Sequence, residues 1–190
     1  LTNDPMIRKY GTDEGTRILG WARDSGSCAF DIILKRQINS AMAANLRYGL
    51  NTRPEKSERE AVVTFVDNHD MGASPFSPAN GWGQQCWPCP PYFKIAAYAF
   101  IMCMPGTPCV YWPDCFDWGH REDITALAAA RRKAGIVAGS EWIDLSDRYT
   151  GFAGIVKNAD GKEALALSIH SNLYDMGPEW VKECEHPGEW

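Results

Sequence analysis

The sequence predicts an α/β fold followed by a small antiparallel β-structure, and three observations support that prediction. Three short apolar runs alternate with four segments of helical periodicity, as in parallel βαβ packing. The run at residues 61–66, "AVVTFV", is apolar on both faces, which is typical of a sheet covered by helices. Beyond Gly139, two strand-like runs flank the turn sequence "NADG". We therefore predict one domain over residues 1–138 and the start of a second, antiparallel β-domain over residues 139–190.

The elements of the first half follow from hydrophobic spacing and turn residues. Helical spacing predicts a helix over residues 11–24, and the turn "SGS" separates it from a short strand at residues 28–30. A second helix is predicted over residues 31–47 from its apolar spacing. The polar segment 51–60 then leads into the strand at residues 61–66.

The alternation continues after a Gly-, Pro- and Asn-rich loop at residues 71–91. An almost wholly apolar helix at residues 92–104 precedes a strand at residues 108–112. The final helix, residues 121–134, has acidic residues in its first turn and basic residues in its last, and Gly135 follows as a C-cap. We interpret its basic end, the only dense basic patch, as compensation of the helix dipole rather than as a binding site.

Composition excludes several classes of function. Of the 190 residues, 45% are hydrophobic and 23% are charged, which is typical of a globular chain with a substantial core. A formal net charge of -5 argues against a nucleic-acid partner, because phosphate binding draws on clustered Lys and Arg. No apolar run reaches the roughly 20 residues that span a bilayer, so we expect no membrane partner. The chain begins at Leu1 without an initiator Met or a signal-peptide pattern, and we expect the gene product to begin upstream.

The seven cysteines include one pair, Cys86 and Cys89, with the spacing of a redox motif or half a zinc site. A redox motif should open a helix, but Pro90-Pro91 follows, and a zinc site needs a second pair that the sequence lacks. We favour a loop disulfide or plain thiols. If the chain is oxidised, Cys86 and Cys89 are the predicted local pair.

The strand at residues 61–66 ends abruptly in four polar residues, Asp67, Asn68, His69 and Asp70. In parallel α/β sheets and barrels, functional side chains collect at the carboxyl ends of strands, so this is a candidate site. The alternative is that the Asp and Asn residues only form a turn and that His69 is incidental. Position alone leaves both interpretations open.

The string "FVDNHD" resembles the fourth signature of the α-amylase family of glycoside hydrolases, Phe-x-x-Asn-His-Asp, at Phe65, Asn68, His69 and Asp70. The string "MPGTPCVYW" looks like the eighth strand of that family. The overlapping string "VYWPDCFDWG" resembles the bacterial maltotetraose-forming amylases in particular. These blocks occur in the family's order and at plausible spacing.

The resemblance implies a fold and an activity. The family's catalytic domain is a (β/α)8 TIM barrel, so the strands at Phe30, residues 62–66 and residues 109–112 would be its sixth, seventh and eighth strands. The antiparallel tail would begin the C-terminal β-domain. Family members hydrolyse α-1,4-glucosidic bonds of starch-type glucans with retention of configuration. No part of this chain matches the family's nucleophile or acid/base, so we expect the chain alone to be inactive.

Three site residues follow from the same motif. Asp70 matches the carboxylate that stabilises the oxocarbenium-like transition state, where a fixed anion helps more than in the ground state. His69 matches a residue that hydrogen-bonds sugar hydroxyls, and we assign Asn68 to the same substrate-binding segment. Asp31, which also follows a strand, aligns with a family position that is not catalytic, and we interpret it as structural.

Aromatic residues follow the last parallel strand, where sugar-binding proteins place rings against pyranose faces. Trp112 is the preferred candidate for substrate binding, and the alternative for each ring is core packing.

The family implies calcium with ligands mostly outside this chain, an α-glucan substrate and an extracellular location, while endo or exo action and the oligomeric state stay open. The competing hypothesis is a non-catalytic glucan-binding module.

Overall fold

The computed structural model of the chain describes residues 4–70, 87–146 and 151–169. Within these residues the chain forms a parallel sheet and an antiparallel sheet, each with three strands. The strands are β1 (Ala29–Phe30), β2 (Val62–Phe65), β3 (Thr107–Cys109), β4 (Trp142–Asp144), β5 (Phe152–Lys157) and β6 (Glu163–Ile169). The α-helices are α1 (Pro5–Tyr10), α2 (Glu14–Ser25), α3 (Ile32–Asn39), α4 (Leu46–Asn51), α5 (Lys56–Glu60), α6 (Lys94–Cys103), α7 (Trp112–Phe116) and α8 (Arg121–Ala134). The helices that alternate with the parallel strands confirm the predicted α/β class.

The parallel sheet has the order β1-β2-β3, with β2 in the centre. Ala29 lies beside Val62 in the first pair of strands, and Val63 lies beside Thr107 in the second. The predicted strand at residues 61–66 is confirmed as β2, whose residues are buried except for partly buried Val63. Because all three strands run in the same direction, their carboxyl ends lie at one edge of the sheet.

The antiparallel sheet contains the predicted hairpin. Strands β5 and β6 pair from Phe152–Ile169 to Lys157–Glu163, and β4, which the sequence did not predict, pairs with the other edge of β5. The sheet packs on α6, where the ring of Phe100 meets that of Phe152 edge-on at 4.9 Å between centroids. Helix α6 is therefore covered on several sides, which explains why it is apolar around its whole circumference.

Helix α8 forms over the predicted residues. Gly135 ends it in the left-handed conformation, with φ 67°, and its N–H donates to the carbonyls of Arg131 and Arg132. The side chain of Arg131 also donates to the carbonyls of Met102 and Gly106, at 2.9 and 2.8 Å. The basic end of α8 therefore caps the carboxyl end of α6, a contact that dipole compensation alone does not predict.

The predicted helix over residues 31–47 is wrong in its extent. Helix α3 ends at Asn39, Ala41 takes a φ of 50°, and a 3-10 turn (Ala43–Asn45) leads into α4. The apolar spacing continues through the break because Ala43, Leu46 and Leu50 are buried in the same core as the apolar residues of α3. The apolar spacing therefore predicted correctly which residues are buried, but it predicted one continuous helix where the structure has two helices joined by a turn.

The predicted strand at residues 108–112 also needs correction. Strand β3 ends at Cys109, and α7 begins at Trp112. Pro113 and Asp114 lie in the first turn of α7, where a fixed φ and a negative charge both favour a helix start. Helices α1 and α5 were missed. None of the helices in the described part of the chain is long and apolar enough to cross a membrane.

Candidate active site

Polar residues follow all three parallel strands at their carboxyl ends. Asp31 comes directly after β1, Asp67 comes two residues after the end of β2, and Tyr111 comes two residues after the end of β3. The predicted site residues lie at this edge of the sheet. Three of them follow β2, and Trp112 follows β3.

Asn68, His69 and Asp70, called the NHD segment below, form one turn. The Oδ1 atom of Asn68 accepts a hydrogen bond from the backbone N–H of Asp70 at 3.0 Å, so Asn68 does act as a turn former. The side chains of His69 and Asp70 are 80% and 51% exposed, with His69 Nε2 at 3.4 Å from Asp70 Oδ1. The turn therefore presents an imidazole and a carboxylate to solvent at the carboxyl end of the central strand.

Asp67, one residue before the NHD segment, is buried and heavily hydrogen-bonded. Its carboxylate accepts from Lys35 Nζ and from Lys94 Nζ, each at 2.7 Å. It also accepts from the backbone N–H of Cys89 at 3.0 Å. Lys35 additionally donates to the carbonyl of Val66 at 2.6 Å, which ties α3 to the end of β2. A turn was one of the two interpretations of Asp67 that the sequence left open, and its partners Lys35, Lys94 and Cys89 were not predicted.

Lys94 extends this network to α7. Its ammonium group donates to Asp114 Oδ1 at 2.7 Å, and the hydroxyl of Tyr98 donates to Asp114 Oδ2 at 2.6 Å. The Tyr98 oxygen accepts from the backbone N–H of Tyr111 at 3.3 Å. The buried ion cluster, as we call it, consists of Lys35, Asp67, Lys94, Tyr98 and Asp114. It balances two carboxylates against two ammonium groups, as buried charges require.

The environment of the cluster shifts several pKa values. For Lys94, desolvation lowers the pKa, but hydrogen bonds to Asp114 and Asp67 outweigh it and leave the pKa raised. Burial and the charge of Asp114 raise the pKa of Tyr98, so its hydroxyl stays a neutral donor. Burial, followed by the charge of Asp67, raises the pKa of Cys89 to about 12. A thiol with so high a pKa is a poor nucleophile, which argues against a redox role for Cys89.

Cys89 also bears on the predicted disulfide. It is a free, buried thiol in the structure, and its predicted partner, Cys86, lies outside the described residues, so the pairing stays a prediction. Its backbone N–H contributes to the site by donating to Asp67. The backbone of Cys89 therefore attaches the described residues before α6 to the carboxylate of Asp67.

Trp112 and Phe116 lie on one side of α7 and form the aromatic pair. Their rings stack at 4.0 Å between centroids with 28° between planes, and Trp112 is 65% exposed. Trp118 behaves differently, because its ring covers Lys94 Nζ at 5.1 Å and so belongs to the surroundings of the ion cluster. Tyr111 packs edge-on against Trp118. Trp112 thus has the exposure that sugar stacking requires.

Asp31 has a structural role that agrees with its interpretation from sequence. Its Oδ1 atom caps α3 by accepting from the N–H of Leu34 at 2.9 Å, and its carboxylate forms a buried ion pair with Arg53. Burial raises its pKa, and the nearby charge of Arg53 opposes that shift. The carboxylate of Asp31 thus stabilises the fold through a helix cap and a buried ion pair.

The predicted calcium would have its ligands mostly outside this chain, so the described residues do not test that prediction. Across residues 4–70, 87–146 and 151–169, no group of three or more His, Cys, Asp or Glu side chains is arranged to hold a metal ion. Calcium requires six to eight oxygen ligands, and we assign none of them here. A calcium requirement stays a prediction.

Comparison with known proteins agrees with the motifs. Residues 116–182 match the sequence model of the family described as glucan 1,4-alpha-maltotetraohydrolase, domain C. The glucan 1,4-alpha-maltotetraohydrolase of Roseateles saccharophilus is 35% identical over 161 residues, which is 84% of this chain. The predicted relationship to the C-terminal part of α-amylase-family proteins is confirmed.

Other α-amylase relatives extend the agreement. The maltotetraohydrolase of Stutzerimonas stutzeri shows the same 35% identity over 161 residues. The alpha-amylase type B isozyme of Hordeum vulgare is 40% identical over 75 residues, covering 40% of this chain and 43% of the relative. The aligned region spans only 28% of the length of each maltotetraohydrolase.

Proposed function

We propose that the chain is part of an α-amylase-type glycoside hydrolase that cleaves α-1,4-glucosidic bonds in starch-type glucans with retention of configuration. The observation that carries the proposal is the exposed pair of Asp70 and His69 side chains at the carboxyl end of β2, within the "FVDNHD" motif. Relatives named as maltotetraohydrolases and α-amylases support the same activity. Endo or exo action and product length are left open.

In the proposed mechanism, Asp70 stabilises the transition state. Positive charge develops on the sugar ring as the glycosidic bond breaks, and the exposed carboxylate can approach that charge. His69 can donate a hydrogen bond to a sugar hydroxyl, and Asn68 holds the turn that presents both side chains. The Trp112 ring would stack on another sugar unit of the glucan. The nucleophile and the acid/base would come from outside this chain.

The proposed architecture is a (β/α)8 barrel to which β1, β2 and β3 contribute the sixth to eighth strands. Among the described residues, β1 and β3 each pair only with β2, so each has an outer edge that a further barrel strand could use. The division into residues 1–138 and 139–190 belongs to the same proposal. The packing of Phe152 on Phe100 would make the interface between the two parts hydrophobic.

The surroundings of the enzyme are proposed from the family alone. An α-glucan or maltooligosaccharide is the expected partner, an extracellular location suits a polymeric substrate, and calcium would be held mostly by residues outside this chain. We predict no nucleic-acid or membrane partner from the composition and net charge.

A non-catalytic glucan-binding module is the second candidate. The exposed stack of Trp112 and Phe116 favours it, because a ring platform can bind sugar without any catalytic group. The sequence upstream of Leu1 distinguishes the two. A strand followed within a few residues by Glu would support the enzyme, and an unrelated domain would support the module.

The direct test uses the protein at its natural full length. Maltoheptaose hydrolysis followed by proton NMR should first release the α-anomer, as retention requires. Initial release of the β-anomer, or binding without any cleavage, would contradict the proposal. Residues 1–190 expressed alone should release no reducing ends from soluble starch, and activity of that chain would show that the catalytic carboxylates have been misassigned.

A further inference from the structure

We propose that Lys94 is a positioning residue that holds the NHD segment and the aromatic pair in a fixed relative arrangement. Its ammonium group joins Asp67, which directly precedes the NHD segment, to Asp114, which lies within the helix that carries both aromatic rings. The relevance of this arrangement to glucan rests on the proposed function. The mechanical link itself is a property of the ligand-free chain.

The first step concerns the two carboxylates. Asp67 follows β2 and Asp114 belongs to α7, so they come from segments that leave different strands. Both side chains are fully buried, and each accepts a 2.7 Å hydrogen bond from the same ammonium group. Charge-assisted hydrogen bonds of this length are directional and strong, so one cation fixes the separation of both segments.

The second step concerns the support of Lys94 itself. It is the first residue of α6, whose later turns are buried in the hydrophobic core. The side chain starts from this rigid helix and passes beneath the ring of Trp118. A cation carried by a fixed helix can serve as a reference point for two loops.

Lys35 is a useful contrast because it is equally buried but does not join two segments of the site. It donates to Asp67 and to the carbonyl of Val66, both at the end of β2. Lys35 therefore anchors the start of the NHD segment to α3, whereas among the described residues only Lys94 carries the connection onward to Asp114. The two lysines have separable roles.

A charge-balanced variant tests the connection. Lys94→Met combined with Asp114→Asn removes one cation and one anion, so Asp67 keeps its ion pair with Lys35. The amide oxygen that replaces the carboxylate at position 114 can still accept from the Tyr98 hydroxyl. Such a variant leaves no buried charge unpaired and is expected to fold. A second variant, Lys35→Met with Asp67→Asn, weakens the other end of the link in the same balanced way, because a neutral amide oxygen replaces the carboxylate that accepts from Lys94.

The matched control is Asp31→Asn combined with Arg53→Met. It removes a buried ion pair at the carboxyl end of the neighbouring strand β1, and the asparagine keeps the cap on α3. It therefore matches the loss of buried charge without touching the Lys94 link. Thermal unfolding of all variants measures the loss of stability that each shares with the control.

The readout is NMR of the protein at its natural full length without ligand. Fluorine signals of 5-fluorotryptophan at Trp112, and ring signals of His69, are assigned by their loss in Trp112→Phe and His69→Gln. In the first balanced variant, each signal should become exchange-broadened or multiple, whereas the control keeps single signals. A lost charge alone would move a signal without splitting it, and single, sharp signals in both balanced variants would overturn the proposal.

Starch hydrolysis separates this inference from the proposed function. Absence of hydrolysis by the unsubstituted protein would contradict the proposed function. With active protein, the first balanced variant should lose about 100-fold in kcat/KM, the cost of a small misplacement of binding groups, and the control should lose little. Equal losses in both would contradict the positioning role.

Discussion

The NHD segment and the buried ion cluster contain adjacent residues, Asn68 and Asp67, but they have opposite physical properties. The side chains of His69 and Asp70 are 80% and 51% exposed, whereas every member of the cluster is almost completely buried and makes at least two hydrogen bonds. The comparison suggests a division of labour. The exposed segment is available to a ligand, and the adjacent cluster supplies the rigidity that the segment cannot provide for itself.

The largest effect on stability should come from breaking the cluster with a single substitution. Lys94→Met leaves Asp114 with Tyr98 as its hydrogen-bond donor in the cluster and gives the site an unbalanced negative charge. We expect a loss of about 3–5 kcal/mol in the free energy of unfolding, measured by urea denaturation. The control is Lys157→Met, which breaks the solvent-accessible pair with Glu141 and should cost less than about 1 kcal/mol.

The opposite behaviour is expected for Asp70. In the protein at its natural full length, Asp70→Asn should lower kcat about 100-fold, corresponding to roughly 3 kcal/mol of transition-state stabilisation, with little change in KM. The free energy of unfolding should change by less than about 0.5 kcal/mol, because the side chain is half exposed. Asp117→Asn, an exposed carboxyl after α7, is the control for starch hydrolysis. Near-normal turnover by the Asp70 variant would remove Asp70 from its proposed role.

The sequence predicted the features that depend on neighbouring residues and missed the contacts between residues that are distant in sequence. Helix α8 was predicted over its full length because its end charges, spacing and Gly135 are local signals. The NHD segment was found because its residues are consecutive. Lys94 was missed because its partners, Asp67 and Asp114, lie 27 and 20 residues away in sequence.

One local signal for the cluster was present. Lys94 is a charged residue at the start of an almost wholly apolar helix, and a buried charge must find an opposite charge. That reasoning predicts that a partner exists, although it cannot identify which of the chain's acidic residues it is. The exposure of Trp112 could not be predicted either. It depends on the start of α7 at Trp112, where the sequence predicted the end of a strand instead.

Alkaline pH should destabilise the surroundings of the buried ion cluster more weakly than the Lys94 substitution does, through ionisation of Cys89. The pKa of Cys89 is about 12 in the folded chain against 9.0 for an ordinary thiol, because burial and Asp67 disfavour the thiolate. Since the folded pKa is raised, this contribution to stability is complete well below pH 9 and is lost as the pH rises towards 12. Between pH 8 and pH 10 the loss should be about 1.4 kcal/mol.

The measurement compares pH dependences rather than absolute stabilities. Urea unfolding of the unsubstituted chain and of Cys89→Ala at pH 8, 9 and 10 should show a shallower decline for the variant, whatever its loss of packing. Parallel declines would show that Cys89 ionises equally in both states. Cys103, whose pKa burial raises to about 11, contributes a background common to both proteins.

The smallest effect is expected at the aromatic pair. It tests whether the exposed Trp112 ring binds sugar together with the exposed NHD segment. Trp112→Ala removes a ring that is 65% exposed and stacked on Phe116, so the free energy of unfolding should change little. If the ring stacks on sugar, maltotetraose binding to the protein at its natural full length should weaken by about 1 kcal/mol, or roughly fivefold in Kd by calorimetry. Trp21→Ala, a 43% exposed tryptophan on α2, is the control and should leave Kd unchanged. Trp112→Phe should recover most of the affinity, because it keeps an aromatic face. An unchanged Kd for Trp112→Ala would instead assign the ring to packing against Phe116, and the exposed side of the comparison would then be the NHD segment alone.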